Sequence, residues 1–217
     1  MQKAQSGTGI SSQRLRTFVS FVLSFLATAP GAAQEVVVPN GYQAATPTAL
    51  VLVLHPGGAR GPGYGREFAR RVVEPALRQL KAVMVAPDCL ERAWSDCEQA
   101  VMTLMTETTR AYNIDRKRVL VVGFSMGGRG AWHLASKHPG IFTAAIPMAA
   151  STRGMAIDQL GPQPTYVIHS REDEVVAFEP AAETAAALKT LKRDVEFEAL
   201  DEVTHFDMLS YFDALER

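Results

Sequence analysis

Between residues 118 and 130 the hydrophobic period of the chain changes. Residues 119–122 form an unbroken apolar run rich in β-branched side chains, the pattern of a strand buried on both faces. Beyond it, Ala131, Leu134, Ala135 and His138 recur at helical spacing. Between the two lies Gly123-Phe124-Ser125-Met126-Gly127. The pattern predicts a strand, a tight turn carrying a serine, and a helix that begins at once.

The same reading predicts further strands at residues 35–38, 50–54, 82–86, 144–149, 165–169 and 195–200. The last (VEFEAL) alternates as a strand with one wet face would. Helical spacing runs over residues 67–80, where Pro75 is either a kink or the first residue of a second helix. Ser95 is placed to cap a helix reaching residue 112, with Glu98 completing a capping box. Helices are also predicted at 179–191 and 206–215. Strands alternate with helices throughout, which predicts an α/β architecture of three layers, a mostly parallel sheet with helices on both faces. In such sheets the ligand crevice lies beyond the carboxyl ends of the strands.

Composition narrows the class. The 217 residues are 47% hydrophobic and 21% charged, which is ordinary for a globular chain with one sizeable core. Lys3, Arg14 and Arg16 are the only charges among the first 33 residues. The remaining 19 basic and 23 acidic residues leave a net −4, and no nucleic-acid surface is expected. Arg14 and Arg16 precede the apolar residues 18–29, and Gly31-Ala32-Ala33 before Gln34 fits a small-x-small cleavage site. Residues 1–33 are therefore expected to be a signal peptide. Residues 34–217 form the folded domain, exported to the periplasm or beyond the cell. The apolar stretch is too short for a comfortable membrane span, so no membrane association is expected of the mature form. Cys89 and Cys97 can close a small disulfide loop in an oxidising compartment or remain two free thiols. No histidine lies near them, and no metal site is expected.

The turn at Ser125 has the G-x-S-x-G form, and its strand–turn–helix context makes that form specific for a nucleophile. Side chains at 123 and 127 would collide with the neighbouring strand and helix. The helix N-terminus behind Ser125 favours negative charge, which places the Met126 N–H to stabilise an oxyanion. A serine hydroxyl needs a base, and the base needs an orienting acid. His205 follows the last strand, and Asp173 follows the strand at 165–169, so the order is Ser, Asp, His. Glu172, Glu174, Asp201 and Asp207 are rival acids; Asp207 is read as facing solvent or capping the final helix. His133 and His138 are read as packing or solvated, and His169 as bracing the acid loop. The strand ending at Leu54 runs into His55-Pro56-Gly57-Gly58. Its loop is expected to supply the second oxyanion donor, the N–H of Gly57, with Gly58 next. Pro56 lacks an N–H and would stiffen the loop.

These features resemble the α/β-hydrolase superfamily. The stretch from Tyr112-Asn113-Ile114-Asp115 through Gly123-Phe124-Ser125-Met126-Gly127-Gly128 to Phe142 is similar to the secreted polyhydroxybutyrate depolymerase, feruloyl esterase and "predicted peptidase" group, which is phospholipase/carboxylesterase-like. Pro87-Asp88-Cys89 followed by Trp94, and the loop with Asp173, Val175 and Val176, resemble that group too. The chain departs from it at His55-Pro56, where His-Gly is usual, and at Ser170, where a glycine is usual. The resemblance implies an α/β-hydrolase fold, no cofactor, and a triad of Ser125, Asp173 and His205. The activity so implied is hydrolysis of carboxylic esters, small or polymeric, through an acyl-enzyme. The alternatives are a serine peptidase with the same triad or a non-catalytic exported binding protein on the same scaffold. The short connection at 151–163 leaves no room for a cap, so an open cleft is expected.

Overall fold

The computed structural model describes residues 35–59 and 61–216; the expected signal peptide lies outside the described residues. Seven strands form one sheet in the order β1-β3-β2-β4-β5-β6-β7. They are β1 (Val36–Val37), β2 (Thr48–Leu54), β3 (Val83–Val85), β4 (Ile114–Phe124), β5 (Ala144–Met148), β6 (Thr165–Ser170) and β7 (Val195–Leu200). β1 pairs antiparallel with β3, and every other pairing is parallel.

The period-2 rule sorts the strand residues onto two faces. Val51 and Val53 of β2 join Val122, Phe124 and Met148 under α1 (Tyr64–Phe68), the π-helical turn Ala69–Val73, α2 (Glu74–Ala76) and α6 (Met208–Asp213). Leu50, Leu52 and Leu54 join Val83, Val85 and Val121 under α3 (Glu98–Ala111) and α4 (Met126–Lys137). Trp132 of α4, Val167 and Leu188 make a third cluster that seats α5 (Phe178–Thr190). Every residue from Ala49 to Leu54 is at most 1% exposed, as a central strand covered on both faces must be.

One local expectation is resolved and one is corrected. The helical segment 67–80 is broken at Pro75, which falls in the first turn of the new helix α2, where its missing N–H removes no helix bond; a π-helical turn precedes it and a 3₁₀ turn follows. Ser95 caps nothing. α3 starts at Glu98 behind Cys97, without a side-chain cap, because the Cys89–Cys97 disulfide (S–S 2.00 Å) fixes where the chain enters the helix. The Glu98 carboxylate instead meets His133 Nε2 at 2.6 Å and His138 Nε2 at 2.9 Å, tying α3 to α4. Those histidines are thus partners in an inter-helix clasp, not free packing groups. Their hydrogen bonds hold the Glu98 carboxyl below its ordinary value.

The chain departs from β2 toward β3 on one side and returns to place β4 on the other. That switch point opens a crevice at the carboxyl ends of β2 and β4. Leu54 lies opposite Gly123 in the β2–β4 register, so the residues after them meet at the crevice. Between β5 and β6 the chain adds one turn of 3₁₀ helix, Ile157–Gln159, and no cap over the crevice.

Candidate active site

Ser125 occupies the turn between β4 and α4 at φ 55° and ψ −116°, a sparsely populated conformation for a residue with a Cβ. The surroundings enforce it. The Ser125 N–H donates to Met148 O on β5 at 2.9 Å, and Ser125 O accepts from the Arg129 N–H at 3.0 Å. A Cβ at Gly123 would lie 2.1 Å from Gly127 O, and one at Gly127 would lie 1.9 Å from Leu54 O. Only glycine lets the elbow come this close to β2 and fold back on itself.

His205 follows β7 and turns its ring into the crevice, 6% exposed. Its Nε2 is 2.9 Å from Ser125 Oγ, and its Nδ1 is 2.8 Å from Asp173 Oδ2. A carboxylate oxygen only accepts, so Nδ1 carries the proton and Nε2 is left to accept from the serine hydroxyl. The Phe124 ring lies 5.1 Å from the imidazole, centroid to centroid. The His205 backbone N–H donates to Glu174 Oε2 at 3.0 Å.

Asp173 hangs from the loop after β6. Its Oδ1 accepts the Val175 N–H at 3.0 Å and the Val176 N–H at 2.7 Å, and its Oδ2 also accepts the Tyr211 hydroxyl at 3.1 Å. Burial pushes this carboxyl up, but the hydrogen bonds from His205, Val176 and Val175 outweigh it and hold it below its ordinary value. Burial and the neighbouring Asp173 push the Tyr211 phenol well up, so it stays a donor. His169, fully buried, donates Nε2–H to Val176 O at 2.9 Å and so braces the loop from below. The rival acids are occupied elsewhere. Asp201 pairs with Arg171 at 3.0 Å, Glu172 accepts the Glu202 N–H at 2.9 Å, and Asp207 accepts the Ser210 hydroxyl at 2.8 Å.

The loop after β2 completes the crevice. A Cβ on Gly57 would sit 3.9 Å from Met126 Cβ, so the Gly57 backbone lies against the first turn of α4. The next part of that loop is fixed by Asp88, whose two oxygens accept the N–H groups of Gly63 and Gly65. A cleft of about 170 Å³ opens beside Met126, between Trp94, Arg129 and Met155. The sequence assigns no role to Tyr211, offers Glu174 only as a rival acid, and does not show that the Phe124 ring packs on His205. Each contact joins residues far apart in the chain.

Residues 64–207 match the model of the dienelactone hydrolase family. The chain belongs to the dienelactone hydrolase family. The matched span carries Ser125, Asp173 and His205 and begins beyond the loop at residues 55–57. The family is one of α/β-hydrolases, as the sequence features led one to expect. This family member is 31% identical over 81 residues to a bifunctional acetylxylan esterase/xylanase of Neocallimastix patriciarum, an overlap of 37% of this chain and 12% of that protein. Its fold matches a thermostable esterase with a TM-score of 0.72 at 24% identity, covering 84% of this chain and 55% of the other. It matches a feruloyl esterase module from Clostridium thermocellum with a TM-score of 0.64 at 16% identity, covering 83% and 81%. The chain therefore spans only part of the length of the first two. Among the described residues, no group of three His, Cys, Asp or Glu side chains could hold a metal ion, and no helix is long and apolar enough to cross a membrane.

Proposed function

We propose that the chain is an exported carboxylic ester hydrolase that works through Ser125, His205 and Asp173 by way of an acyl-enzyme. One observation carries the reading: an unbroken hydrogen-bond relay from Ser125 Oγ through both nitrogens of His205 to a buried carboxylate. Ser125 Oγ attacks the ester carbonyl carbon as its proton passes to His205 Nε2. Asp173 accepts Nδ1–H throughout and stabilises the imidazolium. The carbonyl oxygen becomes an oxyanion between the N–H groups of Met126 and Gly57, a stabilisation typically worth about 10²–10³ in kcat per donor. The C–O bond then breaks, and Nε2 returns the proton to the leaving alkoxide. Water, deprotonated by the same nitrogen, repeats the attack and frees the acid and Ser125.

The matched folds are those of an esterase and a feruloyl esterase module, and the sequence relative is a bifunctional acetylxylan esterase/xylanase, which favours esters over amides here. So does the open crevice, which offers few extra elements to grip a peptide. The leaving alcohol must pass beside His205 Nε2. Phe206 (79% exposed), Leu209 and Val175 are exposed apolar groups on the segments that carry His205 and Asp173, suited to an apolar alcohol moiety or a polymer chain. Export is supported by the apolar segment at 18–29 and by the Cys89–Cys97 disulfide, which suits an oxidising compartment. A mature protein whose mass begins at Gln34 in the periplasm or medium checks that part. Replacement Ser125→Ala should abolish turnover of p-nitrophenyl acetate in folded protein; undiminished turnover would end the assignment.

A further inference from the structure

We propose that His55 is a positioning residue whose imidazole aims the Gly57 N–H at the oxyanion. The inference rests on the ester-hydrolysis reading above and concerns a loop outside the span shared with the family model.

His55 is fully buried at the carboxyl end of β2, and both of its ring nitrogens are engaged. Nε2 lies 3.0 Å from the backbone nitrogen of Cys89. A backbone N–H can only donate, so Nε2 accepts and the single ring proton sits on Nδ1. Nδ1–H then donates to Pro56 O at 2.7 Å. Burial holds the imidazole below its ordinary value, which keeps it neutral in this tautomer.

The bond to Pro56 O reaches one residue further than it seems to. Pro56 C=O and Gly57 N–H belong to one planar peptide unit, and in a trans peptide they point in opposite directions. None of the described peptides is cis. The proline ring already fixes φ of residue 56, so ψ of Pro56 is the soft torsion that swings this plane. Gripping the oxygen stops the swing and sets the heading of the Gly57 N–H. Catalysis gains only from donors fixed before the charge develops, which is what this grip supplies.

The ring that grips is itself held. Tyr64 and Trp94 stand edge-on to it, each with its centroid 4.9 Å away. Trp94 Nε1–H donates to His55 O at 3.1 Å. Cys89, which holds Nε2, is tied by the disulfide to Cys97. Trp94 lies inside that small covalent loop, so two anchors of His55 come from one cross-linked segment. His55 O also borders the elbow, since a Cβ on Gly127 would lie 2.8 Å from it.

Two side chains separate the grips. His55→Asn presents an amide N–H near the position of Nδ1 and loses the acceptor for Cys89. His55→Gln presents an oxygen near the position of Nε2 and loses the donor to Pro56. With p-nitrophenyl acetate, Gln is expected to lower kcat by about 100-fold with KM within about threefold, and Asn to keep kcat within about fivefold of the parent. Melting curves confirm that each variant is folded at the assay temperature, and imidazole nitrogen chemical shifts of the parent report the tautomer. Equal losses in Asn and Gln that follow stability alone, parental kcat in folded Gln, or an Nε2–H tautomer would each overturn the assignment. Failure of the ester reading shows separately, as turnover surviving Ser125→Ala.

Discussion

Asp173→Asn perturbs one atom and tests the whole relay. The carboxylate makes four hydrogen bonds as acceptor: Oδ1 from the N–H groups of Val175 and Val176, Oδ2 from His205 Nδ1–H and the Tyr211 hydroxyl. An amide has one oxygen to serve both sides. Facing two fixed backbone donors, the oxygen settles at the Oδ1 position and the NH₂ group takes the Oδ2 position. The Tyr211 hydroxyl can rotate and become an acceptor, but His205 Nδ1–H cannot remain against a second donor. The imidazole shifts its proton to Nε2, which then points a hydrogen at Ser125 Oγ and no longer accepts one. One rearranged buried hydrogen-bond set costs about 1–3 kcal/mol of stability, so the domain stays folded. The catalytic loss is far larger, on the order of 10⁴ in kcat, the scale seen when a triad acid can no longer fix the tautomer. Steady-state hydrolysis of p-nitrophenyl acetate, with a melting curve on the same sample, reads both. A kcat within tenfold of the parent in folded Asp173→Asn protein would refute the reasoning, because the tautomer would then not depend on this oxygen.

Gly127→Ala drives a Cβ to 1.9 Å from Leu54 O, a backbone atom that cannot step aside, and the melting temperature should fall by at least about 6 °C; a parental melting temperature would contradict the packing of the elbow on β2. Glu98 has its folded-state pKa held below the ordinary value, so it stabilises the fold above the ordinary carboxylate range and loses that contribution as pH falls through the lowered value. Urea titrations from about pH 6 to about pH 3 should therefore show the stability gap between parent and Glu98→Gln shrinking in acid, and a gap that widens would be the wrong sign. Phe206→Ala should raise KM for esters of bulky apolar alcohols by about fivefold, consistent with roughly 1 kcal/mol of lost apolar contact, and leave methyl esters unchanged; equal effects on both would remove Phe206 from the substrate path.

Much of this layout could be read from periodicity, because β2 is buried on both faces and reads as an unbroken apolar run, while the alternation in β7 marks its wetter face. That Ser125, Asp173 and His205 come together was legible for a related reason: each sits where a strand ends, and the strained serine turn demands glycines that mark it. In the segment 67–80 the proline marks the restart at Pro75, whereas the π-turn before it leaves no trace in a helical periodicity. Glu98 looked like a capping partner because local rules assume a free entry to the helix, whereas a disulfide sets that entry and two imidazoles, one on α4 and one at its C-terminal end, take the carboxylate. Tyr211 reaches Asp173 by its hydroxyl and Glu174 accepts the backbone N–H of His205, and such contacts across the fold have no spacing to detect.

The central claim is that Ser125 Oγ is the nucleophile, activated by His205. It is tested most directly by reacting the folded protein with a fluorophosphonate and mapping the adduct by peptide mass spectrometry. One phosphonyl group on Ser125, absent in Ser125→Ala and strongly slowed in His205→Ala, is the expected result. No adduct on folded parent protein, or an adduct on another residue with Ser125 unmodified, would contradict the account.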